Sequence, residues 1–427
     1  MSSSRRAFLG GAGILSLAST AVASGAAPDI DEAWLQARLD RYAGFGAKAS
    51  GGDGDNACGA WLESELRGYG FQCRRQPFDV PFFQARRTVI ASGGAEASII
   101  PQAIVTATGP DGLSAPLRIA SAGADLAGAI ALVELPYKRW AALADPQVAR
   151  PLADAFQKGA AAAVLITTGP TKDAIALNVS THKPSFDRPV AILAPRDAQP
   201  FLDAAANGRP GSLIVDGRGG RRSAFNVIAR LDRGAPRDLI LSTPRSGWFD
   251  CAAERGSGLV VWLSLAWWLA GSNHGVNLEL LCTSGHEYEY LGGEHYLPEA
   301  PVPAKTRLWT HIGASAAARD WLELGPRLLP LPSADSQRVL TATADIVGPV
   351  RSAFKGITGL EATLVASRET AGGELVNVLD AGYKTMIGLY GGHRYFHTPD
   401  DDLRCVSADL VAPVAAAFRT ALKECLA

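Results

Sequence analysis

From Ser223 onward the chain alternates short apolar or β-branched runs with helical spacing, and this alternation constrains the fold more than any other feature. Phe225 to Arg230 and Asp238 to Thr243 read as strands, Ser257 to Ala270 as a helix, and Val276 to Thr283 and Lys384 to Tyr390 as later strands. Strands that alternate with helices predict an α/β fold, a mostly parallel sheet with helices on both faces. In such sheets chemistry sits on the loops leaving the carboxyl ends of the strands. The polar stretches that follow Thr243, Thr283 and Tyr390 lie on loops of that kind.

The first half of the chain has a different texture. Ile30 to Gly44 shows helical spacing, and a Gly/Asp loop from Gly51 to Asp55 leads to a second helix over Ala57 to Gly68. Between about Pro81 and Arg222 short β-branched runs are divided by Gly and Pro. Ala127 to Glu134 reads as a turn and strand, Ala153 to Lys158 as a helix, Gly159 to Ile166 as the next strand, and Arg188 to Leu193 as a strand before a helix at Ala198 to Asn207. This order resembles the protease-associated domain, usually an insertion with no chemistry of its own. The expected organisation is a main α/β domain over 28–80 and 223–427, interrupted by a β-rich insertion over 81–222.

At the N-terminus, Ser4-Arg5-Arg6-Ala7-Phe8-Leu9 precedes a weakly apolar run from Gly10 to Val22, and Ala21-Val22-Ala23 offers a small-residue cleavage site. Residues 1–27 therefore read as a twin-arginine signal, and the expected location is periplasmic or secreted. The apolar run is too short for a membrane span, as is Leu259 to Ala270, the strongest later one, which predicts a buried helix. With a net charge of −1 and no basic stripe, nucleic acid is not an expected partner. Six cysteines in an oxidising compartment could form up to three disulfides. Their spacing matches no zinc-finger pattern, so structural or free thiols are the default reading.

The loop after Thr283 reads Ser284-Gly285-His286-Glu287-Tyr288-Glu289-Tyr290, and the one after Tyr390 reads Gly391-Gly392-His393-Arg394-Tyr395-Phe396-His397-Thr398-Pro399-Asp400-Asp401. With Asn226-Val227-Ile228-Ala229 ahead of them, these segments resemble the zinc aminopeptidase family of bacterial leucyl aminopeptidase, glutaminyl cyclase and the transferrin receptor ectodomain. The H-T-P-x-D segment, in order after the Ser-Gly-x-Glu loop, is the most specific element.

That resemblance implies a zinc site, and its positions must be read one by one. Where the family carries His-x-Asp, this chain has Thr243-Pro244-Arg245-Ser246, so one zinc ligand is lost. The metal-bridging Asp falls on Glu254. The family's Glu-Glu pair, general base then ligand, becomes His286 and Glu287. A further Asp ligand aligns with His311, the last His ligand with His397, and a supporting Asp with Asp401. Glu254, Glu287 and His397 remain as three metal donors, enough with water for one catalytic zinc, with His286 as the base and His311 as a fourth ligand or an oxyanion stabiliser.

Other readings of the same residues stand beside this one. Either carboxylate could pair with Arg245 or Arg255, His397 could be a hydrogen-bonded loop residue, and His295 and His393 have no family role. A serine mechanism through Ser246 or Ser257 lacks a G-x-S-x-G elbow. The resemblance thus implies a divergent hydrolase of a peptide or amide-bearing substrate with a single zinc, or a catalytically inactive binding or scaffolding protein on the same fold.

Overall fold

The computed structural model describes residues 30–179, 184–325 and 327–427; the twin-arginine segment lies outside them. Helices α1 (Glu32–Ala43) and α2 (Asp53–Gly68) lead into β1 (Gln72–Ser92). Helix α2 starts four residues earlier than its apolar spacing suggests, because Asp55 is not a loop residue but a buried one in the first turn. It accepts from the Gly51 N–H at 2.7 Å and sits 2.9 Å from Arg245.

Strand β1 runs antiparallel to β7 (Pro210–Leu231) along almost its whole length, from Gln72 opposite Arg230 to Ala91 opposite Ser212. Between them come β2 (Ala95–Pro101), β3 (Leu113–Ile119), β4 (Ile130–Leu135), α3 (Pro146–Gln157), β5 (Ala162–Thr167), β6 (Val190–Leu193) and α4 (Gln199–Ala206). Helix α3 begins well ahead of the expected Ala153. Asp145 caps it by accepting from the Gln147 N–H at 2.9 Å, and Pro146 takes the first turn, where its missing N–H costs nothing. Buried Leu117, Ile130, Leu132, Val164 and Phe201 form a core for this part of the chain.

After β7 come β8 (Asp238–Pro244), α5 (Gly256–Ala270), β9 (Asn277–Thr283), α6 (Leu291–Tyr296), β10 (Thr306–Ile312), and the hairpin β11 (Arg319–Leu324) and β12 (Arg327–Ala334). They are followed by β13 (Arg338–Ala342), α7 (Val347–Ala353), β14 (Thr363–Val365), α8 (Leu375–Asp380), β15 (Met386–Gly391) and α9 (Ala408–Leu426). One sheet of thirteen strands results, and its central stretch β9-β8-β10-β15 is parallel. Burial of both faces explains why β8 and β9 are buried at every residue rather than alternating.

Helix α5 is apolar all round and fits that pattern, since Leu259, Val260, Trp262, Leu263 and Leu269 all lie in the main core with α1 and α9. Its N-terminus packs against the end of β10 so closely that a Cβ on Gly258 would stand 2.5 Å from the Gly313 carbonyl. Only glycine permits that approach. All six cysteines are free thiols, in line with the default reading of their spacing, and packing rather than disulfides holds this core. Among the described residues no helix is long and apolar enough to cross a membrane.

Candidate functional site

The carboxyl ends of β8, β9, β10 and β15 point the same way, and the loops leaving them meet above the sheet. Backbone strain collects there. Of the non-glycine residues with positive φ, Cys251, Glu289, Tyr290, Ser315 and His397 all sit on or beside these loops. His397, at φ 59°, is held by an exchange with the first half of the chain: the Ala176 N–H donates to its carbonyl at 2.9 Å, and its Nδ1 lies 2.9 Å from the Ala176 carbonyl. Because a ring nitrogen facing a carbonyl oxygen can only donate to it, Nδ1 is committed to Ala176 and Nε2 is the nitrogen turned toward Glu254. The Val179 N–H donates in the same way to the Glu287 carbonyl at 2.9 Å. The segment 174–179 therefore clamps two of the site loops, a contact that no sequence motif announced.

Glu254, Arg255, Glu287 and His397 form the inner layer and are almost wholly excluded from solvent. Arg255 Nη2 is 2.8 Å from Glu254 Oε1 and 3.7 Å from Glu287 Oε1, while His397 Nε2 is 3.2 Å from the same Glu254 oxygen. The Arg255 contacts are ion pairs by distance without the alignment of hydrogen bonds; its Nε makes the aligned one, to the Ser246 carbonyl at 2.8 Å. Glu287 Oε2 accepts from the hydroxyls of Ser50 and Ser246 at 2.7 and 2.8 Å. Burial would push the Glu254 carboxyl up, but Arg255 and His397 beside it outweigh that and hold it well below the usual range. Arg245, the other candidate partner, instead pairs with Asp55.

Asp401 supports this layer from behind, its two oxygens accepting from the Ala253 and Glu254 N–H groups at 2.9 Å. Its Oδ1 also lies 3.4 Å from His393 Nε2. Together with Cys405 these residues are the one trio among the described residues whose metal-capable atoms all fall within 4.8 Å of one another. Both Asp401 oxygens are already engaged by the backbone, which reads as a cap on the Glu254 loop.

The outer layer faces a cleft of about 630 Å³ whose lining includes His286, His311, Tyr290, Asn178, Arg338 and Phe396. His286 Nδ1 lies 3.3 Å from Glu374 Oε1, which also accepts from the Thr283 hydroxyl at 2.7 Å. Glu374 follows Gly372-Gly373 at the start of α8 and belongs to no motif, so sequence reasoning missed it. His311 Nδ1 lies 2.9 Å from the Ser242 hydroxyl, which accepts from Trp309 Nε1 at 2.8 Å. The two rings are neighbours. A Cβ on Gly373 would stand 3.5 Å from the His286 ring and 3.9 Å from His311 Nε2. Burial, reinforced by Arg255, pushes His286 down to about 3, and burial pushes His311 down to about 4, so both are neutral at ordinary pH. Burial pushes Glu374 upward.

The sequence positions therefore divide into two groups. His286 and His311 face the cleft together, while Glu254, Glu287 and His397 lie beneath it around Arg255. A hollow of about 690 Å³ at the other ends of the strands is lined by Arg230, Asp238 and Glu279, whose charges pair with one another.

The geometry has counterparts among solved structures. A zinc aminopeptidase from Bacillus subtilis aligns over 93% of this chain and 95% of its own, with a TM-score of 0.71 and 16% identity. An M28 peptidase precursor from Shewanella amazonensis covers 92% and 94%, with a TM-score of 0.70 and 17% identity. An aminopeptidase from an Aneurinibacillus strain covers 92% and 93%, with a TM-score of 0.65 and 15% identity. No protein-family model matches the sequence, and neither does any curated protein. The chain has the fold of the zinc aminopeptidases.

Zinc is what this fold implies, and the donor chemistry is partly right: both Glu254 oxygens, Glu287 Oε1 and His397 Nε2 have no hydrogen-bond partner. The arrangement nevertheless does not fit the ion. A guanidinium nitrogen stands between the carboxylates, and the three side chains do not form a set within 4.8 Å. Arginine keeps its charge at any working pH, so a divalent cation here would meet a fixed positive neighbour.

Proposed function

We propose that this chain is a hydrolase of peptide or amide bonds that works by acid–base chemistry on the cleft floor, with His286 as base and His311 as hydrogen-bond donor. The observation that carries this reading is the pairing of two oriented imidazoles on one cleft. His286 is aligned by Glu374 and His311 by Ser242. With the proton on Nδ1 toward the Glu374 carboxylate, His286 offers Nε2 as a lone pair oriented as in a carboxylate-supported histidine, and burial makes it a weaker base than a free imidazole. With Nδ1 accepting from Ser242, His311 carries its proton on Nε2, beside Gly373.

A scissile carbonyl seated between them would be attacked by water. The water proton passes to His286 Nε2, the carbonyl oxygen takes its growing charge against the His311 N–H, and the leaving nitrogen receives the proton as the C–N bond breaks. Residues 81–222 read as a protease-associated insertion whose part is to wall the cleft through Arg139, Ala141 and Asn178. Export through the twin-arginine signal completes the reading. Replacing both Arg5 and Arg6 by Lys should retain the precursor in the cytoplasm, and normal export of that variant would refute the signal.

The direct test is incubation with aminoacyl amides, short peptides and N-terminal glutaminyl peptides, with products followed by mass. Cleavage of an amide bond supports the proposal. A non-catalytic binding protein is the second reading, favoured by the sealed Arg255 layer, which leaves no electrophile beneath the cleft. Saturable binding of a panel member without product would favour that second reading and defeat the first.

A further inference from the structure

We propose that Arg255 is the resident cation of this site, and that its guanidinium masks a latent zinc site made of Glu254, Glu287 and His397. The inference holds whether the cleft hydrolyses its ligand or only binds it. Two carboxylates face the Arg255 cation, and His397 Nε2 lies 3.2 Å from the nearer of them. Asp401 fixes the Glu254 backbone, two serine hydroxyls take Glu287 Oε2 and leave Oε1 free, and the Ala176 carbonyl takes the His397 Nδ1 proton and leaves Nε2 free. Support of this kind, a backbone carbonyl behind a histidine and hydroxyls behind a carboxylate, is what orients metal ligands. Here the cation they meet is covalently attached.

The local sequence explains how the side chain reaches that place. Arg255 caps the N-terminus of α5, directly after Glu254, and must turn back toward the end of β8. The segment it meets there carries Pro244 and Ser246, whose side chains are short, and the Ser246 carbonyl anchors Nε. The guanidinium is fully buried and cannot be deprotonated, so it keeps one positive charge beside the two carboxylates under all ordinary conditions. Zinc could enter only by expelling it.

The test compares metal content and thermal stability. Wild-type protein purified without chelator should carry well below one zinc per chain, and its melting temperature should not move with chelator or added zinc. Arg255→Ala should melt lower, and zinc should raise its melting temperature in a concentration-dependent way, because a ligand that binds only the folded state stabilises it. Adding His397→Ala to that variant should abolish the zinc response. If Arg255→Ala is insoluble, Arg255→Met keeps the aliphatic stem, and either variant should be rescued by zinc during expression. Wild-type protein that holds one zinc and loses stability on chelation would overturn the proposal. So would a folded Arg255 variant indifferent to zinc, or variants that zinc never rescues.

Discussion

The inner and outer layers of this site are made from the same loops but have opposite characters. Beneath the cleft, Glu254, Arg255, Glu287 and His397 are buried charged and polar groups held beside one another by ion-pair distances rather than aligned hydrogen bonds. On the cleft floor, His286 and His311 are neutral, each tied at one nitrogen, with the other edge turned to the space where a ligand fits. The contrast teaches that two layers of one site can be held by different means. A fixed cation can hold the loops in place while groups one layer higher keep the capacity to move protons.

The largest effect that would break the comparison comes from the inner layer. Arg255→Ala in zinc-free buffer leaves two carboxylates buried without a counter-charge and should cost about 3–5 kcal/mol of stability, read by chemical denaturation. A loss below about 1 kcal/mol would mean that water or another group already neutralises them.

Acid should come next, and it acts on both layers in one direction. His286 and His311 have folded values of about 3 and about 4, below the ordinary 6.5, so the unfolded chain binds more protons as pH falls. Stability should be full above about pH 6.5 and decline toward pH 4, by on the order of 3 kcal/mol for His311. The Glu254 contribution, depressed below the carboxylate range, is present above about pH 4.3 and is lost only at still lower pH. Denaturation curves across this range check the sign, and stability that rises on acidification would contradict it.

Two smaller changes sharpen the division. Glu374→Gln keeps the shape but removes the charge that orients His286, and should lower kcat by about 10- to 100-fold, in the range seen for supporting groups. The melting temperature should fall little, since the amide can still accept from Thr283. Ser242→Ala leaves the Trp309 indole N–H buried without its partner and should cost about 1–3 kcal/mol. A stability loss without any change in KM or kcat would remove His311 from the chemistry.

The parallel strands, the buried α5 and the meeting of the His286 and His397 loops could be read from the sequence, because each rests on local periodicity or on a motif of contiguous residues. What could not be read depends on contacts distant in sequence. Glu374 reaches His286 across 88 residues, and Ala176 reaches His397 across 221, with nothing in either segment to mark a partner. Arg255 was visible beside Glu254 as a possible ion-pair partner. That its side chain would also approach Glu287 depends on the short residues at the end of β8, which a linear reading does not place in space. The cysteines make a related point: an even count permits pairing, but proximity decides it, and all six are free.

The central claim is that proton transfer on the cleft floor, and not a metal beneath it, carries the activity. The measurement that tests it most directly is turnover on the amide and peptide panel by wild-type protein and His286→Ala, both stripped with chelator and assayed for residual metal. The account predicts that metal-free wild type turns over a panel substrate at the rate of the untreated protein, and that His286→Ala loses about 10² to 10⁴-fold in kcat while melting at nearly the same temperature. Turnover that appears only when zinc is restored, or a His286→Ala variant as fast as wild type, would contradict it.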